Sequence, residues 1–384
     1  MDAVDPRDLM RPFESLQDPR SHNIIHPLPN LVLITVMAVI CGAGDYVTIA
    51  QWARAKQKWL ATFLDLSKGL PSHDTFNRFF AALNPESFER CFLSWIAELA
   101  RTSDGRLVAV DGKTLRRSFE AANGPRMAAI HMVSAWCERN RLVLGQLAVE
   151  DKSNEITAIP KLLEALNIKG ATVSIDAMGC QKEIAAAIRA GGGNYLLAVK
   201  DNHPTLHEDI RFFFDDAIAQ GDAKLVRLPQ PQVDAGHDRI ETRQAWASGE
   251  VGWLKRQGHD WKDLAGIVCV ECQRQTLADG KSSVQRRYYL TSHDPRTLGA
   301  ERMLEMVRGH WGVENRLHWS LDVSFNEDQR RIRKGHGAEN FSRLCRMALN
   351  LLKSEKTLKA GINTKRLNCG WDHAYLLRVL MNLG

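Results

Sequence analysis

Arg106-Leu107-Val108-Ala109-Val110-Asp111-Gly112 is a short apolar run that stops on an acid, and Ala171-Thr172-Val173-Ser174-Ile175-Asp176 does the same further along the chain. Runs of this length, apolar throughout and bounded by turn residues, describe strands buried on both faces. Met127 to Cys137 and Leu142 to Val149 are two more strand-like runs, joined by the polar turn Glu138-Arg139-Asn140-Arg141. Glu155 to Leu166 and Gln181 to Ala190 have helical spacing, Gly191-Gly192-Gly193 breaks the second, and Tyr195 to Val199 closes the series as a strand. The order is strand, strand, strand, helix, strand, helix, strand. Antiparallel hairpins followed by right-handed crossovers turn that order into a mixed sheet with helices laid on it.

In the ribonuclease-H-like arrangement the first and fourth strands lie side by side, which would bring Asp111 and Asp176 together. The expected fold is therefore α/β: a ribonuclease-H-like mixed sheet with flanking helices, interrupted by a β-rich insertion and preceded by a helical N-terminal domain. Residues 1–102 read as helices. They include the apolar segment Leu31 to Gly44, then Tyr46 to Leu64 with a face carrying Arg54, Lys56 and Lys58. Ser72 is placed to cap a helix from Asp74 to Leu83, and Asn84-Pro85-Glu86 restarts one with a cap, a first-turn proline and an acid. Helix, short turn, helix is the outline of many DNA-reading modules and of any small bundle. After residues 103–202, the first part of the core, a helix from His207 to Ala219 opens the insertion (203–299). Its strands are Arg239 to Trp246, Ala265 to Val270 and Val284 to Leu290. Residues 300–353 return to the core with a long helix, Glu301 to Phe325, and another from Ala338 to Lys353. Residues 354–384 form a basic helical tail ending in a helix from Asp372 to Leu380.

The net charge of the 384 residues is +6, but from Asp328 to Gly384 twelve Lys/Arg face four Asp/Glu, about +8, leaving about −2 for the rest. A basic segment on a near-neutral body points to a polyanionic partner or to a solvated charged tail. The eight cysteines form no framework: Cys269 and Cys272 lie three apart in a strand, facing opposite ways, with no second pair near them. Reduced thiols in a cytoplasmic, nucleoid-associated protein are expected. Asp2, Asp5 and Asp8 do not suit a signal peptide, and Leu31 to Gly44 is too short to cross a bilayer.

Cutting and joining DNA requires an in-line nucleophile and relief of charge on phosphorus oxygens. Two divalent cations about 3.5–4 Å apart, held by carboxylates from different elements, supply both. Asp111 could otherwise be the turn residue of Asp-Gly, and Asp176 the cap of the next helix. The third acid is expected on the helix after the insertion. There His310, Glu314, His318 and Asp322 recur every four residues as one polar stripe. A solvated helix face is the plain alternative, zinc between the two histidines a remote one, and Glu327 and Asp328 compete with Glu314.

VAVDGKTLRRS around Asp111, SIDAMGCQKEIA around Asp176, YLLAVKDNHPTL after the fifth strand and RGHWGVENRLHWSLDVSFNEDQRRIR around Glu314 resemble bacterial insertion-sequence transposases of the DDE class. The similar branch is the one that includes the H-repeat-associated proteins, and the likeness covers nearly the whole chain. It implies a transposase that cuts at element ends and joins the freed 3′-hydroxyl to target DNA. The implied ligands are Asp111, Asp176 and Glu314 with two Mg²⁺ or Mn²⁺ ions. The implied partners are double-stranded DNA (terminal repeats and target) and a second copy of the chain on the DNA ends, with no membrane. An element remnant that only binds DNA is the alternative. Related families place Tyr, Arg and Lys seven before, four before and seven after the Glu, where this chain has Val307, His310 and Leu321. Candidate DNA contacts are Lys113, Lys200, Arg239, Arg243, Arg308, Arg316, His318, Arg330, Arg331 and Arg333, with Arg286 and Arg287 added in the insertion.

Overall fold

The computed structural model describes residues 6–22, 24–99, 107–118, 129–149, 155–236 and 238–381. Arg106 and Met127, where two of the expected strands begin, lie outside the described residues. Helices α1 (Leu28–Ile40), α2 (Tyr46–Ala55), α3 (Gln57–Leu60), α4 (His73–Ala82) and α5 (Pro85–Leu99) come first. Strands β1 (Leu107–Thr114), β2 (His131–Cys137) and β3 (Leu142–Val149) follow, then α6 (Glu155–Glu164), β4 (Thr172–Ile175), α7 (Lys182–Ala190) and β5 (Asn194–Val199). Helix α8 (Pro204–Ala219) leads into β6 (Val226–Arg227), β7 (Gln232–Gly236), β8 (Arg239–Ser248), α9 (Gly252–Arg256), β9 (Gly266–Thr276) and β10 (Ser282–Thr291). The rest is helical: α10 (Pro295–Leu298), α11 (Ala300–His310), a π-helical turn (Val313–His318), α12 (Trp319–Phe325), α13 (Gly337–Ser354), α14 (Ile362–Trp371) and α15 (His373–Leu380).

The caps expected from sequence are in place. Ser72 Oγ accepts from the Thr75 amide at 3.2 Å, and Asn84 Oδ1 from the Ser87 amide at 2.8 Å, with Pro85 opening α5. The expected long helix from Glu301 to Phe325 is not continuous. Its middle is the π turn, which gives three elements with two changes of pitch. No helix among the described residues is long and apolar enough to cross a membrane.

The chain forms two compact units, one of residues 103–111 and 155–313, the other of residues 1–102, 112–154 and 314–384. The first holds a mixed sheet in the order β1-β4-β5-β10-β9-β8-β6, with β7 on β8. β1, β4 and β5 are parallel, while β10 runs antiparallel to β5 through Tyr288–Val199 to Thr291–Leu196. The strands of the expected insertion thus extend the core sheet instead of standing apart as a subdomain. A physical reason is at hand: β5 is apolar and buried, and left as an edge it would expose unpaired amides beside that surface. Leu196, Ala245, Ala247, Val268 and Val270 form one face of this sheet, against which α11 packs Met303, Leu304 and Val307.

In the second unit α1 is buried along almost its whole length and packs on α13 and α2. Polar groups set the register of the surrounding pieces. Asn350 on α13 holds both the amide and the carbonyl of Val143 at 2.9 Å, and Glu89 on α5 accepts from the Gln146 amide at 2.9 Å and pairs with buried Arg343 at 2.5 Å. Gly335 turns the chain into α13 with φ 49°, and a Cβ there would lie 2.4 Å from the Ala81 carbonyl oxygen at the end of α4. Gly335→Ala is therefore expected to cost about 2 kcal/mol from backbone strain and the displaced carbonyl. Thermal unfolding reads this, and an unchanged Tm would show that the turn moves freely away from α4.

Candidate active site

β1 and β4 pair in parallel through Leu107–Thr172, Val108–Val173, Ala109–Ser174 and Val110–Ile175. Asp111 and Asp176 follow directly on the last of these pairs, Asp176 just past β4 but Asp111 still inside β1: the run read as stopping on this acid continues as strand to Thr114. Both are partly buried. Asp176 Oδ1 accepts the amides of Met178 at 3.1 Å and Gly179 at 3.3 Å, which fixes the carboxylate as the chain turns toward α7. Asp176 does not cap α7, whose N-cap is Gln181; its oxygen closes the turn just after β4. Gly179 is required here because a Cβ would fall 2.3 Å from the Ile175 side chain.

His310 ends α11 and its Nδ1 lies 3.0 Å from Ser174 Oγ, two residues before Asp176 on the same side of the strand. Burial pushes this imidazole down to about 4, against the opposing pull of the Asp176 charge. It is neutral at physiological pH, so it does not replace the missing arginine as a cation. Lys200, exposed at the end of β5, is the charge that His310 feels from the other direction. Glu314 lies four residues after His310, exposed, in the first position but one of the π turn. Among the described residues no three His, Cys, Asp or Glu side chains are gathered as a metal site.

In the unit that contains residues 112–154 and 314–384, Lys113 is buried rather than offered to solvent. Its ammonium group lies 2.5 Å from Asp322, 2.8 Å from Asp328 and 3.9 Å from Glu327. Glu327 is itself buried against Arg346 at 2.8 Å and accepts from Ser342 Oγ at 2.9 Å. Burial raises Glu327, but Arg346, Lys113 and Arg330 outweigh it and hold the carboxyl at about 2. His318 is pushed down to about 3 by burial, with Arg346 and Lys113 adding to the effect, so it too is neutral. The polar stripe thus does not form a solvated face: His318 and Asp322 belong to this ionic cluster. Sequence offered no signal for it, since Lys113 and its partners are more than two hundred positions apart.

The remaining basic candidates are mostly engaged. Arg239 pairs with Glu241 at 3.1 Å, and Arg243 with Asp234 at 2.5 Å and also with Glu241. Arg308 reaches Asp234 at 2.8 Å, and Arg286 reaches Asp215 at 2.6 Å and Glu271 at 2.7 Å. Arg287 lies over the Trp311 ring at 4.7 Å, and Arg316 pairs with Glu138. Arg330 and Arg333 donate to backbone carbonyls, of Gly44 at 3.1 Å and Arg117 at 3.1 Å, while Arg331 is exposed. The paired cysteines of β9 are free thiols, Cys269 buried and Cys272 partly so.

The sheet and its flanking helices set the chain among mixed α/β proteins. The chain belongs to the transposase DDE domain family: the model so described matches residues 102–351, and one described as DDE_Tnp_1-associated matches residues 10–96. The "H repeat-associated putative transposase YhhI" of Escherichia coli K12 is 36% identical over 387 residues, covering 98% of this chain and 99% of that one. The "Putative transposase YncI" of Escherichia coli O157:H7 is 38% identical over 359 residues, covering 92% and 89%. A solved structure of the piggyBac transposase synaptic complex with hairpin DNA aligns with TM-score 0.46 and 9% identity, covering 100% of this chain and 80% of that one.

Proposed function

We propose that this chain is a metal-dependent DNA transposase that cleaves strands at element ends and transfers the 3′-hydroxyl to target DNA. One observation carries the reading: Asp111 and Asp176 directly follow the last paired residues of neighbouring parallel strands in a chain of the transposase DDE domain family. The same adjacency supports a ribonuclease-H-like description of the core. Two hard carboxylates side by side, one already oriented by backbone amides, fit a hard divalent cation. Asp111, Asp176 and, as the third acid, Glu314 would hold two Mg²⁺ or Mn²⁺ ions, which when bound relieve charge on the phosphate oxygens and on the attacking and leaving oxygens. The chain's own groups arrange the rest. Neutral His310 braces β4 through Ser174 without adding charge next to Asp176, and exposed Lys200 supplies a cation at this end of the sheet for the DNA backbone. The proposed partners are double-stranded element ends, target DNA and a second copy of the chain.

The test is incubation with DNA carrying the element ends and Mn²⁺, read on denaturing gels. Both nicks and joined products are expected. Nicks without joining would reduce the protein to a nuclease, and binding without either product would leave a DNA-binding remnant.

A further inference from the structure

Within the unit that holds residues 1–102 and 314–384, the basic segment after α12 is stapled to the N-terminal helices. Asn326, in the left-handed region at φ 54°, turns the chain out of α12. Glu327 then locks into Arg346, and Arg330 donates to the carbonyls of Gly44 at 3.1 Å and Phe325 at 2.7 Å while lying 4.3 Å over the Phe341 ring. At the far end the His336 amide donates to the Ala81 carbonyl at 3.0 Å. Pinned beside α2 at one end and to α4 at the other, the segment forms one wall of a cleft of about 630 Å³.

Four cations line this cleft, Arg330, Arg331, Arg333 and Lys334. The one carboxylate among its lining residues, Asp45, is occupied as the cap of α2, accepting from the Thr48 amide at 2.8 Å. Arg331 and Lys334 are exposed, whereas Arg330 and Arg333 are held by backbone carbonyls. From α4, His73 and Asn77 face the same space. Cations whose backbone is already fixed lose little freedom on meeting phosphates, and an amide beside them has the donor and acceptor pair that reads adenine.

We propose that this cleft grips the phosphate backbone of double-stranded DNA through Arg331 and Lys334, with Asn77 and His73 reaching base edges. The inference rests on the transposase reading and adds a DNA-holding surface separate from the strand-end carboxylates. Neither half forms it alone: the basic segment supplies charge and the N-terminal helices supply the reading face.

The experiment is fluorescence anisotropy of the full chain with a labelled duplex of the element end and a scrambled duplex, in EDTA across a salt series. Arg331→Gln with Lys334→Gln is expected to weaken binding about tenfold and to lower the slope of log K against log salt by about 2, one phosphate contact each. Lys68→Gln with Lys161→Gln, exposed lysines outside both the cleft and the basic segment, should change neither. Asn77→Ala should narrow the gap between the two duplexes and leave the slope alone. Unchanged slope and affinity in the Arg331/Lys334 variant, with the parent binding normally, overturns the cleft and spares the transposase reading. A parent that binds neither duplex at any salt overturns both.

Discussion

Asp111→Asn, Asp176→Asn and Glu314→Gln are each expected to reduce strand cleavage and joining by roughly a thousandfold or more, because each removes a charge from a group that acts as one unit. Combining them should add little to the worst single variant. DNA binding in EDTA should persist in all three, since phosphate affinity comes from lysine and arginine elsewhere. Gel assays with Mn²⁺ and anisotropy on the same preparations separate the two effects. Variants that lose binding and folding together would show the acids to be structural, as the turn that Asp176 closes with one oxygen already is in part. Wild-type activity in Glu314→Gln would remove that residue from the proposed set.

Glu327→Gln is expected to act differently although Glu327 was the nearest rival for third acid. It leaves Arg346 buried without its counter-charge, while Lys113 keeps Asp322 and Asp328, a loss of about 3–5 kcal/mol by the usual measure of a broken buried pair. The pH dependence has a definite sign. The folded carboxyl sits at about 2 against an ordinary value of 4.5, so its contribution is complete above 4.5 and disappears as pH falls through about 2. Urea midpoints measured from pH 7 down to pH 3 should fall for the parent below 4.5, and this part of the fall should be missing in Glu327→Gln. A variant that folds as well as the parent yet cuts no DNA would instead make Glu327 the third acid.

What the sequence made legible was local or periodic. The apolar runs that stop at Asp111 and Asp176, the caps at Ser72 and Asn84 and the break at Gly191 are each written in a few adjacent residues. The adjacency of β1 and β4 was expected from the ribonuclease-H-like arrangement that the order of those runs matches, and connection rules alone gave only a mixed sheet. Pairings between distant segments were not legible. Nothing in Tyr288 to Thr291 says that its partner is β5, and nothing in Lys113 says that it is buried among acids from the far end of the chain. Lysine and arginine near a predicted site read as exposed DNA contacts, yet Lys113, Arg243 and Arg330 spend their charge or donors internally. Helix α14 escaped notice because its inward residues include Lys365 and Arg366, whose donors go to the carbonyls of Leu352, Val39 and Ile40. The π turn was invisible for a related reason: four-residue spacing looks the same whether or not the pitch opens.

That turn has a consequence for inheritance. Between Val313 and His318 the chain takes more residues per revolution than an α-helix, so it stores a residue that the regular path would not need. Loss of one codon, for example that of Asn315, could be absorbed in length by closing the turn to ordinary pitch. Direction would be kept as well, because the π turn makes with one extra residue about the revolution that an α-helical turn makes. His318 and Asp322 would therefore stay in the neighbourhood of Arg346 and Lys113. The same three-base gap in α11 or α12, where no residue is spare, would swing every later side chain by about 100° and scatter that cluster. Copies of the gene can thus lose a codon in this one turn at far less cost than in the helices on either side of it.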